Sequence, residues 1–139
     1  RLVVMVQREV ADRLVAPVGS LSALAVTVQA QARVRLVRHV PSSAFYPRPK
    51  VGSTVLALEP LSSGERPVTR AAFADFVRFV QAGFKQPRKQ IVNSLAEGLA
   101  VDKPVVLPLL ERVGIAPRRR PQELGIGEWV GLFRAHASA

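Results

Sequence analysis

Ser42-Ser43-Ala44-Phe45-Tyr46-Pro47-Arg48-Pro49-Lys50-Val51 is the stretch best equipped for chemistry. Proline fixes φ, so Pro47 and Pro49 stiffen the backbone around Phe45 and Tyr46. Adjacent aromatics on a stiff loop, with Arg48 and Lys50 beside them, make a platform for an unstacked nucleobase, where stacking contributes roughly 1–3 kcal/mol. The same spacing also suits a plainer arrangement, in which Phe45 plugs a core and the prolines guard a sheet edge.

Two further clusters are cationic. Lys85, Arg88 and Lys89 surround Pro87 at the predicted start of a helix, where the macrodipole disfavours exposed cations by about 0.3–1 kcal/mol each. Free backbone N–H groups together with three cations form a phosphate clamp; the alternative is that these long side chains swing into solvent. Arg118-Arg119-Arg120, between Pro117 and Pro121, is by itself an ordinary solvated turn and gains weight only beside the other clusters. Residues 66–139 hold twelve Lys or Arg against six Asp or Glu. The whole chain carries +10. That imbalance favours a polyanionic partner, nucleic acid before an anionic membrane surface.

Other chemistries find little support. His39 and His136 lie far apart with no acidic companion at ligand spacing, so no metal site is expected. No Ser/His/Asp arrangement is suggested, and the absence of cysteine removes disulfides and thiolate chemistry. No apolar run reaches the roughly 18–20 residues that span a bilayer, and the start does not read as a signal peptide. A cytoplasmic protein fits these features.

The elements that must hold these groups follow from periodicity. Leu2–Val6 is a continuous apolar run, expected as a central parallel strand covered on both faces. The chain opens inside this element, so upstream sequence is expected to precede Arg1. Gln7–Ala16 turns helical, with Val10, Leu14 and Val15 apolar and Arg8, Glu9, Asp12 and Arg13 facing water. Ser20 is a candidate cap for a second helix near 21–31. Arg33–Val40 alternates basic and apolar residues except at the Leu36-Val37 step, the pattern of a strand with one basic face. With the strand-like 51–58 it predicts an antiparallel pair. Residues 61–68 read as a linker. Beyond it the pattern is helical: Thr69 is a candidate cap, and Phe73, Phe76, Val77, Val80 and Phe84 form the strongest stripe. Ile91, Leu95 and Leu99 form a second. A helix from Asp102 to Gly114 contains Pro108, and a last one carries Trp129, Leu132 and Phe133. These aromatics are expected in a core.

Met5-Val6-Gln7-Arg8-Glu9-Val10-Ala11-Asp12-Arg13-Leu14 resembles the M-x-Q-x-E-V-A-x-R-L stretch of the KsgA/RsmA family of small-subunit rRNA adenine dimethyltransferases. Val40-Pro41 through Ala44-Phe45-Tyr46-Pro47-Arg48-Pro49-Lys50-Val51-Gly52-Ser53 resembles that family's V-P-x-x-A-F-x-P-x-P-K-V-x-S motif. Phe84–Lys89 with Asn93-Ser94-Leu95, and Gly114–Pro117 with Arg120 and Leu124, is similar to its helical domain. The similarity runs collinearly over essentially the whole chain, and the proline block is its most specific part.

The resemblance implies an α/β fold: residues 1–60 as the C-terminal portion of a Rossmann-like S-adenosylmethionine domain, 61–68 as linker, and 69–139 as a small all-helical rRNA-binding domain. It implies methyl transfer to N6 of two adjacent adenines near the 3′ end of small-subunit rRNA, with the target base flipped out of its stack. Phe45 would stack on that base. Tyr46, Arg48 and Lys50 would frame the pocket, and Lys85, Arg88, Lys89, Arg118, Arg119 and Arg120 would contact RNA. The implied partner is the small-subunit rRNA or pre-small subunit, bound by a monomer, with no metal and no membrane. No cofactor-binding residue is expected here, because the glycine-rich loop, the acidic ribose-binding residue and the N-L-P-Y-type motif would lie upstream; the 139 residues alone are expected to be inactive. Gly52 stands where the family commonly has Asp, and Pro87 where it commonly has Arg. Alternatives are an Erm-type large-subunit rRNA methyltransferase, whose ending Trp129–Phe133 resembles, a non-enzymatic nucleic-acid-binding protein of the same fold, and a generic basic RNA-binding module.

Overall fold

The computed structural model describes residues 1–139. Strand β1 (Leu2–Gln7) passes directly into helix α1 (Arg8–Leu14), followed by α2 (Ala23–Gln29), β2 (Ala32–Val40) and β3 (Ser53–Pro60). Four helices complete the chain: α3 (Phe73–Gly83), α4 (Ile91–Leu99), α5 (Lys103–Val113) and α6 (Ile126–Ala137). The mixed α/β half and the helical half therefore fall in the expected order.

The sheet order is β1-β3-β2, and β3 runs antiparallel to both neighbours. The β2–β3 pair matches expectation; β1 does not. Within these residues it pairs with β3 and runs antiparallel to it, leaving Val3 and Met5 on the face away from α1. An apolar run reports that neither face of a strand is polar, but it specifies neither the partner's direction nor what covers the faces. One consequence bears on function. β1 and β2 are parallel to each other, and their carboxyl ends come level, since Gln7 and Val40 both pair with Ser53.

Helix starts also differ from those expected. Ser22, not Ser20, caps α2, its hydroxyl accepting the Ala25 N–H at 3.2 Å. Thr69 accepts the Ala72 N–H at 3.2 Å and so caps only a turn, while α3 begins at Phe73. Pro87 belongs to no helix, and α4 starts at Ile91 after Gln90. Ser20 and Ser22 both offer a cap to α2, whereas Ala72 and Gln90 precede α3 and α4 without a side-chain cap, so local chemistry does not fix these starts.

Two apolar clusters hold the chain together. Leu56, Ala11 and Leu14 pack between one sheet face and α1, with Val4, Val6, Val10 and Val28 around them. The larger cluster fills the helical half around Phe76, Val80, Ile91, Leu95, Leu110, Leu124, Trp129 and Leu132. Each such side chain contributes about 1.5–3 kcal/mol on burial. Helix α2 serves both clusters, turning Val28 toward the sheet and Ala25 and Val26 toward the helices. Helices α3 and α4 meet backbone to backbone, because a Cβ on Gly98 would lie 1.9 Å from the Ala82 carbonyl oxygen. The Trp129 ring fills the space that a Cβ on Gly83 would occupy, 2.5 Å away.

Candidate nucleic-acid interface

The proline loop leaves the sheet at the common carboxyl end of β1 and β2. In open α/β sheets this is the edge at which ligands bind. Its first residues, Ser42–Ala44, form a 3-10 turn closed by the Ala44 N–H to the Pro41 carbonyl at 3.0 Å. Phe45 follows in extended conformation and is half-buried, whereas Tyr46 is fully exposed. Arg48 folds back, its Nε donating to Ser42 Oγ at 3.2 Å, and Lys50 projects from the exit of the loop. The Arg8 N–H donates to the Gly52 carbonyl at 3.1 Å, fastening that exit to α1. A cleft of about 400 Å³ opens beside it, lined by Gln7, Arg8, Glu9, Asp12, Val51 and Gly52. The loop is thus anchored at both ends and presents one half-sheltered ring and one free ring.

The two cationic clusters are joined. The backbone N–H of Ile91, the first residue of α4, donates to the Arg119 carbonyl at 2.6 Å. That bond sets the 84–90 loop beside the 116–120 turn. Lys85, Arg88, Arg118 and Arg120 are exposed and form no ion pair. The loop is braced from beneath by buried Ser94, whose hydroxyl donates to the Gly83 carbonyl at 2.6 Å and accepts the Gln86 N–H at 2.9 Å. Phe84 stacks on Trp129 with centroids 5.1 Å apart, fixing the same end of the loop, while the Ile91 bond ties the other.

Two of the expected phosphate contacts have other partners. Arg119 grips both carboxylate oxygens of Glu128, with Nη2 at 2.8 Å from Oε1, and donates to the Glu123 carbonyl at 2.7 Å. Glu128 in turn accepts the Gly125 N–H at 3.0 Å at the start of α6. The Arg119 guanidinium accordingly holds the Glu128 carboxyl below the usual carboxylate range. Lys89 lies 3.8 Å from Glu97, which also accepts from Gln86 Nε2 at 3.2 Å. The backbone part of the expected clamp is also largely committed: besides the Ile91 bond, the Asn93 and Ser94 N–H groups both donate to the Gln90 carbonyl at 3.0 Å. Any polyanion here meets side chains of a loop, not an open helix terminus.

Ser94, Glu97 and Glu128 shape this surface and were not singled out by residue type. Ser94 entered only within the Asn93-Ser94-Leu95 resemblance, and Glu128 left a local signal, three residues after Gly125 at a helix start. The histidines stand apart, His39 Nδ1 lying 2.8 Å from Thr54 Oγ and His136 stacking on Phe79. No helix is long and apolar enough to cross a membrane.

Comparison with known proteins places this arrangement. Residues 1–134 match the family model described as ribosomal RNA adenine dimethylase, and the chain belongs to that family. It is 39% identical over 137 residues to ribosomal RNA small subunit methyltransferase A of Dehalococcoides mccartyi, covering 98% of this chain and 46% of that protein. It is 40% identical to the protein of the same name from Desulfitobacterium hafniense, covering 96% and 48%. The chain thus spans about half the length of the curated relatives it matches. A crystal structure of a dimethyladenosine transferase from Plasmodium falciparum superposes with a TM-score of 0.73 at 24% identity, covering 94% of this chain and 54% of the other. The 23S rRNA methyltransferase ErmE superposes at 0.63 and 22%, covering 96% and 53%. The expected α/β class, Rossmann-like strands and helices followed by helices, is the fold these proteins share.

Proposed function

We propose that the chain is the RNA-gripping half of an S-adenosylmethionine-dependent dimethyltransferase acting on N6 of two adjacent adenines near the 3′ end of small-subunit rRNA. The observation that carries this reading is the place of the proline loop: it stands at the level carboxyl ends of β1 and β2, with Phe45 half-sheltered and Tyr46 free. Membership of the adenine dimethylase family supports it, as do relatives named ribosomal RNA small subunit methyltransferase A. In this reading Phe45 stacks on the flipped adenine while Tyr46, Arg48 and Lys50 frame its entrance. Lys85, Arg88, Arg118 and Arg120 contact RNA phosphates, and Lys89 joins them when its hold on Glu97 yields. Arg119 acts from behind. Residues 1–60 serve as the strand-bearing part, 61–68 as the connection and 69–139 as the rRNA-binding part, with α2 packed against both.

The cofactor has no fitting cradle among these residues. A methionine moiety held close to the backbone needs glycine between a strand and its helix, and β1 enters α1 from Gln7 to Arg8 with none. In this reading its site lies outside the 139 residues, which alone are expected to transfer no methyl group. The protein is read as a cytoplasmic monomer whose partner is the pre-small subunit. The test is Phe45→Ala in the full-length protein: methylation of small-subunit rRNA falls about 5- to 150-fold, as the loss of a roughly 1–3 kcal/mol stack requires, while RNA affinity stays nearly constant. Unchanged turnover rejects the reading.

A further inference from the structure

The alternation of basic residues in 33–40 is not used by the loop or by the helical clusters. Its side chains can be assigned to faces from the register. Leu36 pairs with Leu56 and His39 with Thr54, both buried on the face covered by α1 and α2. Arg33 pairs with Glu59, Arg35 with Ala57 and Arg38 with Val55, on the opposite face. Arg38 reaches that face only because the register shifts between Leu36 and Arg38. In an unbroken strand, residues 36 and 38 would point the same way, and a bulge of one extra residue re-aims the chain beyond it.

The three arginines do not have equal freedom. Arg33 is held by Glu65 at 2.7 Å, and the neighbouring Glu59 by Arg1 at 2.7 Å. Arg35 and Arg38 are exposed and form no ion pair. Their partners on β3 are two residues apart, so the two cations stand about 7 Å apart along the strand. From Arg38 the chain continues through Val40 into the loop that carries Phe45, Arg48 and Lys50.

We propose that Arg35 and Arg38 form a track for the backbone of a single RNA strand, which approaches along the outer face of β2 and delivers its base to Phe45. This rests on the functional reading above and adds a contact surface on the sheet, separate from the helical clusters. Phosphate contacts of this kind position a strand without reading its sequence.

Binding of the full-length protein to a single-stranded RNA oligonucleotide containing two adjacent adenines, measured against salt, tests the proposal. Each of Arg35→Gln and Arg38→Gln should flatten the slope of log K against log salt by about 0.7, the value for one released phosphate contact on a single strand. Arg38→Lys should keep the slope, and Arg13→Gln, which removes an equal charge from the other side of the sheet, should leave it unchanged. Unchanged slopes for both Gln variants overturn the proposal. So does a loss confined to phosphatidylserine-containing vesicles, because the exposed Val3 and Met5 on the same face would then mark a lipid surface. Lys85→Gln and Arg88→Gln run in parallel separate the two ideas: if they flatten the slope and the β2 variants do not, the track fails and the helical clamp stands. If only the β2 variants flatten it, the track stands and the clamp fails.

Discussion

The Ile91 N–H donates to the Arg119 carbonyl at 2.6 Å, so the first turn of α4 is closed by a residue 28 positions later in the chain. Two basic segments, each weak as a sequence signal, become neighbours through that bond. The Arg119 side chain secures the same turn to α6, so one residue fixes three elements.

Arg119 is therefore expected to behave unlike the arginines on either side. Arg119→Ala removes a two-pronged carboxylate pair and a bond to a carbonyl at a site about one-third exposed. Charged hydrogen bonds contribute roughly 1.5–3 kcal/mol when sheltered and less when solvent screens them, so a loss of about 1–2 kcal/mol is expected. Arg118→Ala and Arg120→Ala should stay within about 0.5 kcal/mol of the parent. Urea denaturation of the three variants decides; equal stabilities would contradict the assigned role.

Ser94 offers a second check. Ser94→Ala strands the Gly83 carbonyl and the Gln86 N–H, both satisfied by one fully buried hydroxyl. An unsatisfied buried group costs about 1–3 kcal/mol, and the Lys85–Lys89 loop loses its brace. Thermal unfolding should shift down and amide exchange at Gln86 should accelerate. Ser94→Thr or Ser94→Cys would not reproduce the geometry fully in so tight a space.

Gly98→Ala should be severe for a different reason. The added methyl would sit 1.9 Å from the Ala82 carbonyl oxygen, which is backbone and cannot swing aside. The helices must separate, and overpacking of this kind costs about 1–3 kcal/mol or more. Gly127→Ala, with nothing within 4 Å of its Cβ, is the matched control and should be neutral or mildly stabilising. Similar melting temperatures for the two would show that α3 and α4 do not touch in this way.

Acid should release the strap between β2 and the 61–68 segment. The Arg33 guanidinium, followed by the Ser62 N–H and hydroxyl, holds the Glu65 carboxyl down at about 2, against 4.5 for the free group. A carboxyl with a depressed pKa stabilises the fold fully above its unfolded value and loses that contribution as pH falls through the folded one. The window is therefore from about 4.5 down to about 2. Carboxyl NMR titration of Glu65 should show the depressed midpoint, and Arg33→Gln should return it toward 4.5. A midpoint unaffected by Arg33→Gln would remove the pairing from the account.

The division between what was legible and what was not follows the range of the forces involved. Periodicity placed the Phe73–Phe84 and Ile91–Leu99 stripes, the β2–β3 pair and the end of α5 at Gly114, whose φ of 73° suits glycine. The irregular Leu36-Val37 step in the alternation proved to be the register shift that turns Arg38 outward. These features depend on residues a few positions apart, so the sequence alone determines them. Composition likewise determined the excess of positive charge. Nothing local told Arg119 from Arg118 and Arg120, or Lys89 from Lys85, because their difference lies in Glu128 on α6 and Glu97 on α4, which meet those side chains only in the folded chain. The same holds for the direction of β1: an apolar strand accepts either orientation, and β3 supplied the partner from fifty residues away. Side-chain periodicity is written into covalent geometry, whereas the choice of ion-pair partner and strand neighbour waits for the chain to close on itself.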